Sequence, residues 1–98
     1  MNKFNVSQAV IDESLRAIGN YLKQARIERG LLQEELAEKM NSTASHLSKC
    51  ENGKYSYSMG FFLSWCAHLQ INPYLIPKEI RTPLIQKIFG LEEKLKGN

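Results

Sequence analysis

Apolar residues recur at helical spacing along most of the chain, and short polar clusters with capping chemistry separate the recurrences. Ile11, Leu15, Ile18 and Leu22 fall at i, i+4, i+7 and i+11, one stripe of a helix. Ser7 stands where it caps this helix ahead of Gln8. Gly19-Asn20 either divides the stripe into two helices or bends a single one. The next predicted helix, about 18–29, buries Ile18, Leu22, Ala25 and Tyr21 and ends at Gly30, a residue that enters the left-handed conformation cheaply. From Gln33 to about Lys39, Leu36, Ala37 and Met40 form a stripe, leaving Glu34, Glu35, Glu38 and Lys39 to water. Asn41, Ser42 and Thr43 break that pattern, because their side chains compete for backbone hydrogen bonds. Thr43 is the predicted N-cap of a helix over 44–51, and Ser58 of another over 59–69. Phe62, Leu63, Trp65, Cys66 and Leu69 make the latter the central core helix. Asn72-Pro73 predicts a short helix to about Ile76, stopped by Pro77. Thr82-Pro83 predicts the start of a last helix, to about Lys96, with Leu84, Ile88, Leu91 and Leu95 on one stripe and Ile85 and Phe89 widening it.

The helix over 44–51 differs from the others. It has two apolar residues to bury, Leu47 and Cys50, and the remainder is Ala44, Ser45, His46, Ser48 and Lys49. A helix this short and polar gains little from packing and does not stand alone. Its outer side offers small donors and acceptors, one cation and little bulk, a surface that suits the major groove of DNA.

Ile18-Gly19, Leu22, Arg26, Gly30, Gln33, Glu35-Leu36-Ala37, Leu47-Ser48, Glu51-Asn52-Gly53-Lys54 and the run from Leu69 to Ile76 form an ordered pattern. In their order and spacing these residues resemble the helix-turn-helix domain of the Cro and phage-repressor (XRE-type) family. The resemblance implies an all-α fold, a five-helix repressor-like domain over 18–77. Outside it, the residue pattern adds a helical extension at 1–17, either an extra packing helix or an arm that contacts DNA or a partner, for which Lys3 and Arg16 give only weak support, and a C-terminal amphipathic helix at 78–98. It implies a structural ion pair between Arg26 and Glu51, base reading by Ala44, Ser45 and Lys49 with His46 and Ser48 flanking, and phosphate contacts by Gln33, Thr43, Asn52, Lys54 and Tyr55. Leu32 departs from the family pattern, which places Ser, Thr or Asn before the glutamine as an N-cap; a leucine there forgoes about 1 kcal/mol. The loop Lys54-Tyr55-Ser56-Tyr57 either presents its hydroxyls to phosphates or covers the edge of the core.

Composition narrows the function without deciding it. A net charge of +3 permits nucleic-acid binding but does not demand it. The N-terminus lacks the apolar region of a signal peptide, and the chain is expected to be cytoplasmic with no membrane span. Cys50 and Cys66 both fall at apolar helix positions and are read as reduced core thiols; no metal or cofactor is expected. Ser48 and His46 are two apart on a helix and do not face each other, and no phosphate-binding glycine loop is present, so no enzyme is expected. The last helix either folds back on its own core or pairs Leu84, Ile88, Leu91 and Leu95 with a second copy to make a homodimer. The function expected is a sequence-specific transcriptional regulator of the repressor kind acting on double-stranded DNA. The alternative is a protein-interaction module on the same fold, such as an antitoxin or the partner of another regulator.

Overall fold

The computed structural model describes residues 6–83 and Gln86. Four helices carry the domain: α1 (Gln8–Glu28), α2 (Gln33–Lys39), α3 (Ala44–Glu51) and α4 (Met59–Leu69). Helical backbone resumes at 78–83. The fold is all-helical, as the periodicity requires, and Ser7, Thr43 and Ser58 cap their helices as predicted. Ser7 Oγ accepts from the Val10 amide, Thr43 Oγ1 from that of His46 and Ser58 Oγ from that of Phe61. Each of the four helices closes on a left-handed residue, respectively Gly30, Asn41, Gly53 and Gln70. At each end the next amide reaches back to a carbonyl five residues earlier, as Lys54 N–H does to Lys49 O at 2.9 Å.

α1 packs across α3 and α4, and α2 packs on α3. Leu22, Ala25, Leu36, Ala37, Leu47, Cys50, Trp65, Cys66 and Leu69 form the core, with Ile18, Tyr21, Tyr57, Phe61 and Phe62 packed against it. In α4 Trp65, Cys66 and Leu69 are buried, with Phe61 and Phe62 half-buried against the core, and Leu63, expected on that face, lies outward at 38% exposure.

Three features differ from the sequence reading or resolve an alternative in it. α1 is one helix, and it runs through residues 17 and 18 without a break. Gly19 marks a crossing rather than a break: a Cβ built there would lie 2.5 Å from the Cys50 carbonyl oxygen and 2.7 Å from that of Glu51. The segment at 73–76 is a turn and not a helix. Asn72 takes the Tyr74 amide on its Oδ1 and the Leu75 amide on its backbone oxygen, which closes a single turn. Pro77 starts a helix rather than stopping one, since its carbonyl accepts from the amides of Ile80 and Arg81. The chain is therefore already helical from residue 78, ahead of Thr82-Pro83. Leu84, Ile88, Leu91 and Leu95 lie outside the described residues.

Candidate nucleic-acid interface

The joint that fixes α3 is the pair predicted between Arg26 and Glu51. Arg26 Nε donates to Glu51 Oε2 at 2.7 Å and Nη2 to Oε1 at 3.2 Å. Arg26 Nη1 also donates to the Leu31 carbonyl at 2.7 Å, and Gln33 Nε2 to Glu51 Oε1 at 2.8 Å. One carboxylate thus gathers α1, the start of α2 and the end of α3. Both charged residues are buried, which leaves neither free for catalysis or for a ligand. The same contacts commit the amide nitrogen of Gln33, expected at a phosphate, to the interior.

Withdrawing Glu51 also shapes the electrostatics of α3, because it is that helix's one carboxylate. The face left toward solvent carries Ser45 and Lys49, both exposed, with Ala44, His46 and Ser48 half-buried. Its charge is therefore positive.

His46 turns away from the exposed face. Its ring meets Phe61 edge-on with centroids 5.1 Å apart, lies 5.4 Å from Tyr55, and its Nε2 is 3.7 Å from Cys50 Sγ. Tyr55 in turn lies under Lys49, whose Nζ is 5.3 Å from the ring centroid. His46 and Tyr55 thus form a prop beneath Lys49. The prop was not legible in the sequence, because the pairing of residues 46 and 55 follows no helical spacing.

The phosphate candidates flank α3: Thr43 caps its start, and Asn52, Lys54 and Tyr55 follow its end. Thr43, Asn52, Lys54 and Tyr55 are exposed, and Gln33 is half-buried. Asn52 Nδ2 donates to the Ser48 carbonyl at 2.9 Å, which closes the end of α3. Tyr57 does not join them, since its hydroxyl is buried without a partner and its ring packs on Phe62 and Trp65. Of the two uses open to the loop's tyrosines, Tyr57 covers the core while Tyr55 stays exposed. Leu32 supplies no side-chain cap to α2, but Glu35 Oε1 accepts its amide at 2.8 Å, the reciprocal half of a capping box. Burial raises the thiol pKa of Cys66, and burial and then the Glu51 charge raise that of Cys50, so both remain neutral thiols.

A protein-family model described as helix-turn-helix, of the Cro/C1 (XRE) type, matches residues 22–76, more than half of the chain. The chain belongs to this helix-turn-helix family. The matched residues take in the end of α1 and all of α2, α3 and α4, and the buried Arg26–Glu51 joint lies within them. No curated protein matches the chain in sequence. The family is one of DNA-binding regulators, and no helix among the described residues is long and apolar enough to cross a membrane.

Proposed function

We propose that the protein is a sequence-specific DNA-binding transcriptional regulator of the repressor kind, placing α3 in the major groove. The observation that carries this reading is the outward face of α3, where Ser45 and Lys49 are exposed and the helix's one carboxylate is buried against Arg26. In this arrangement Lys49 reaches guanine O6 and N7, Ser45 donates to or accepts from base edges, and Ala44 lies against a thymine methyl. His46 and Tyr55 hold Lys49 from below, and Ser48 lies at the margin of the reading face. Thr43, Asn52, Lys54 and Tyr55 line the sugar-phosphate track, and Gln33 adds the free oxygen of its side-chain amide through a bridging water.

Few side chains read bases here, so one domain discriminates modestly and a second copy supplies the rest. Tyr74 and Leu75, 83% and 71% exposed, support a homodimer built on this end of the chain with the stripe Leu84, Ile88, Leu91 and Leu95. Two-fold pairing places half-sites about one helical turn, roughly 34 Å, apart. The test is a salt titration of duplex binding. A regulator binds one sequence tightly and loses affinity steeply as salt rises. Equal, weak binding to all duplexes contradicts the proposal.

A further inference from the structure

We propose that Arg16, which precedes the family-matched residues, is an additional contact to the DNA backbone and extends the phosphate track from the end of α3 onto α1. The inference rests on the DNA-binding reading above. It begins with Gly53, the left-handed residue that ends α3 at φ +71°. A Cβ built on Gly53 would lie 2.6 Å from Arg16 Cγ and 2.7 Å from both its Cα and its backbone nitrogen. The chain therefore turns from α3 into the loop directly on the backbone of Arg16, with no side chain between them.

This contact places Arg16 beside Asn52 and Lys54, two of the phosphate candidates. All three are exposed. The arginines toward the other end of α1 are occupied: Arg26 by Glu51 and the Leu31 carbonyl, and Arg29 by the Ala25 carbonyl at 3.0 Å. Among the described residues, no hydrogen bond or ion pair holds the Arg16 guanidinium. An exposed arginine whose backbone lies against Gly53, the residue between Asn52 and Lys54, and which has no acceptor among the described residues, adds a forked donor whose geometry matches the oxygens of a phosphate diester. The competing role for Arg16 is structural: its charge lies near the C-terminal end of α3, whose Cys50 and Glu51 carbonyls face Gly19 one turn further along α1.

Salt dependence separates the two roles, because each phosphate neutralised contributes about 0.9 to the slope of log affinity against log salt. The full chain is titrated with a duplex enriched by the wild type from random DNA, and with unrelated duplexes, over a range of salt. Arg16→Gln is expected to lower the slope by about 0.9, to weaken all duplexes alike and to leave the sequence preference unchanged. Arg16→Lys, which keeps the charge, is expected to retain the wild-type slope. A wild-type slope for Arg16→Gln overturns the inference, whether or not its affinity falls, since a weaker complex with an unchanged slope is the mark of the structural role. If the wild type itself binds duplexes without salt dependence, the DNA-binding reading fails and this inference fails with it.

Discussion

Arg26 and Glu51 meet in the interior of the domain, with Nε 2.7 Å from Oε2 and side-chain exposures of 10% and 0%. The pair joins α1 to the end of the helix that faces outward, so the angle of that helix is fixed by a buried electrostatic contact as well as by the apolar residues around it. Removing one partner leaves an uncompensated buried charge. Arg26→Ala and Glu51→Ala are each expected to cost about 3–5 kcal/mol, a large part of the stability of a small domain. The double variant Arg26→Met/Glu51→Leu is expected to lose less than either single one. Urea denaturation followed by circular dichroism reads all three. Single variants within about 1 kcal/mol of the wild type would show that the pair does not hold α3.

Gly19 makes a prediction whose sign is opposite to helix propensity. Alanine favours a helix interior by about 1 kcal/mol over glycine. At Gly19, however, the added Cβ would lie 2.5 Å from a backbone oxygen of Cys50, and backbone does not move aside as a flexible side chain would. Gly19→Ala is therefore expected to destabilise the domain by about 1–3 kcal/mol. Gly30→Ala, where no atom lies within 4 Å, carries the left-handed backbone strain alone, about 1 kcal/mol. Thermal melts of the two variants test the contrast, and a Gly19→Ala protein that melts at or above the wild-type temperature refutes the close crossing.

These glycines show what the sequence could and could not disclose. α3 and α4 were legible because each has a polar cap before it and apolar residues at helical spacing within it, and α2 from its apolar stripe alone, since Leu32 offers it no side-chain cap. The Arg26–Glu51 joint was legible only through the family resemblance, since no local pattern links residues 25 apart. Gly19 was read as a possible break because its constraint comes from α3, which approaches it only in the folded chain. The turn at 72–75 was misread for a different reason: Asn-Pro is a helix start as well as a turn, and the choice lies in which amides Asn72 caps. At the site, the exposure of Ser45 and Lys49 followed from periodicity, whereas the inward turn of His46 toward Phe61 depended on aromatic packing that no spacing encodes.

Tyr57 and Trp65 each bury a polar atom without a partner, the Tyr57 hydroxyl and the Trp65 Nε1. Burial, followed by the charges that Cys50 and Cys66 acquire when ionised, pushes the Tyr57 phenol up to about 12. In the unfolded chain the same group ionises near 10. The folded state thus holds the proton more tightly, and its advantage is whole below about pH 10 and lost as pH rises from there through about 12. Tyr57→Phe removes an unpaired hydroxyl and is expected to raise stability by about 1 kcal/mol at neutral pH. It is also expected to flatten the alkaline loss. Denaturation midpoints measured at neutral pH and across the alkaline range decide the matter; a variant less stable than the wild type at neutral pH implies a partner for the hydroxyl.

Lys49 and Lys54 separate base reading from backbone contact within one surface. Lys54→Ala is expected to weaken binding to every duplex alike and to reduce the salt slope by about one phosphate. Lys49→Ala is expected to cost about 1–3 kcal/mol on the preferred site and to relax the preference at one base pair. Tyr55→Leu, which removes the ring beneath Lys49, is expected to reduce that same discrimination by a smaller amount, whereas Tyr55→Phe keeps it. Binding competitions on single-base-substituted sites distinguish these outcomes.

The central claim is that the outward face of α3 reads a DNA sequence. Its most direct test is selection of bound duplexes from random DNA by the wild type and by Lys49→Ala in parallel. The account predicts that the wild type enriches one motif containing a guanine, and that the variant enriches the same motif with that position degenerate. A wild type that enriches no motif, or a variant that enriches an identical one, contradicts it.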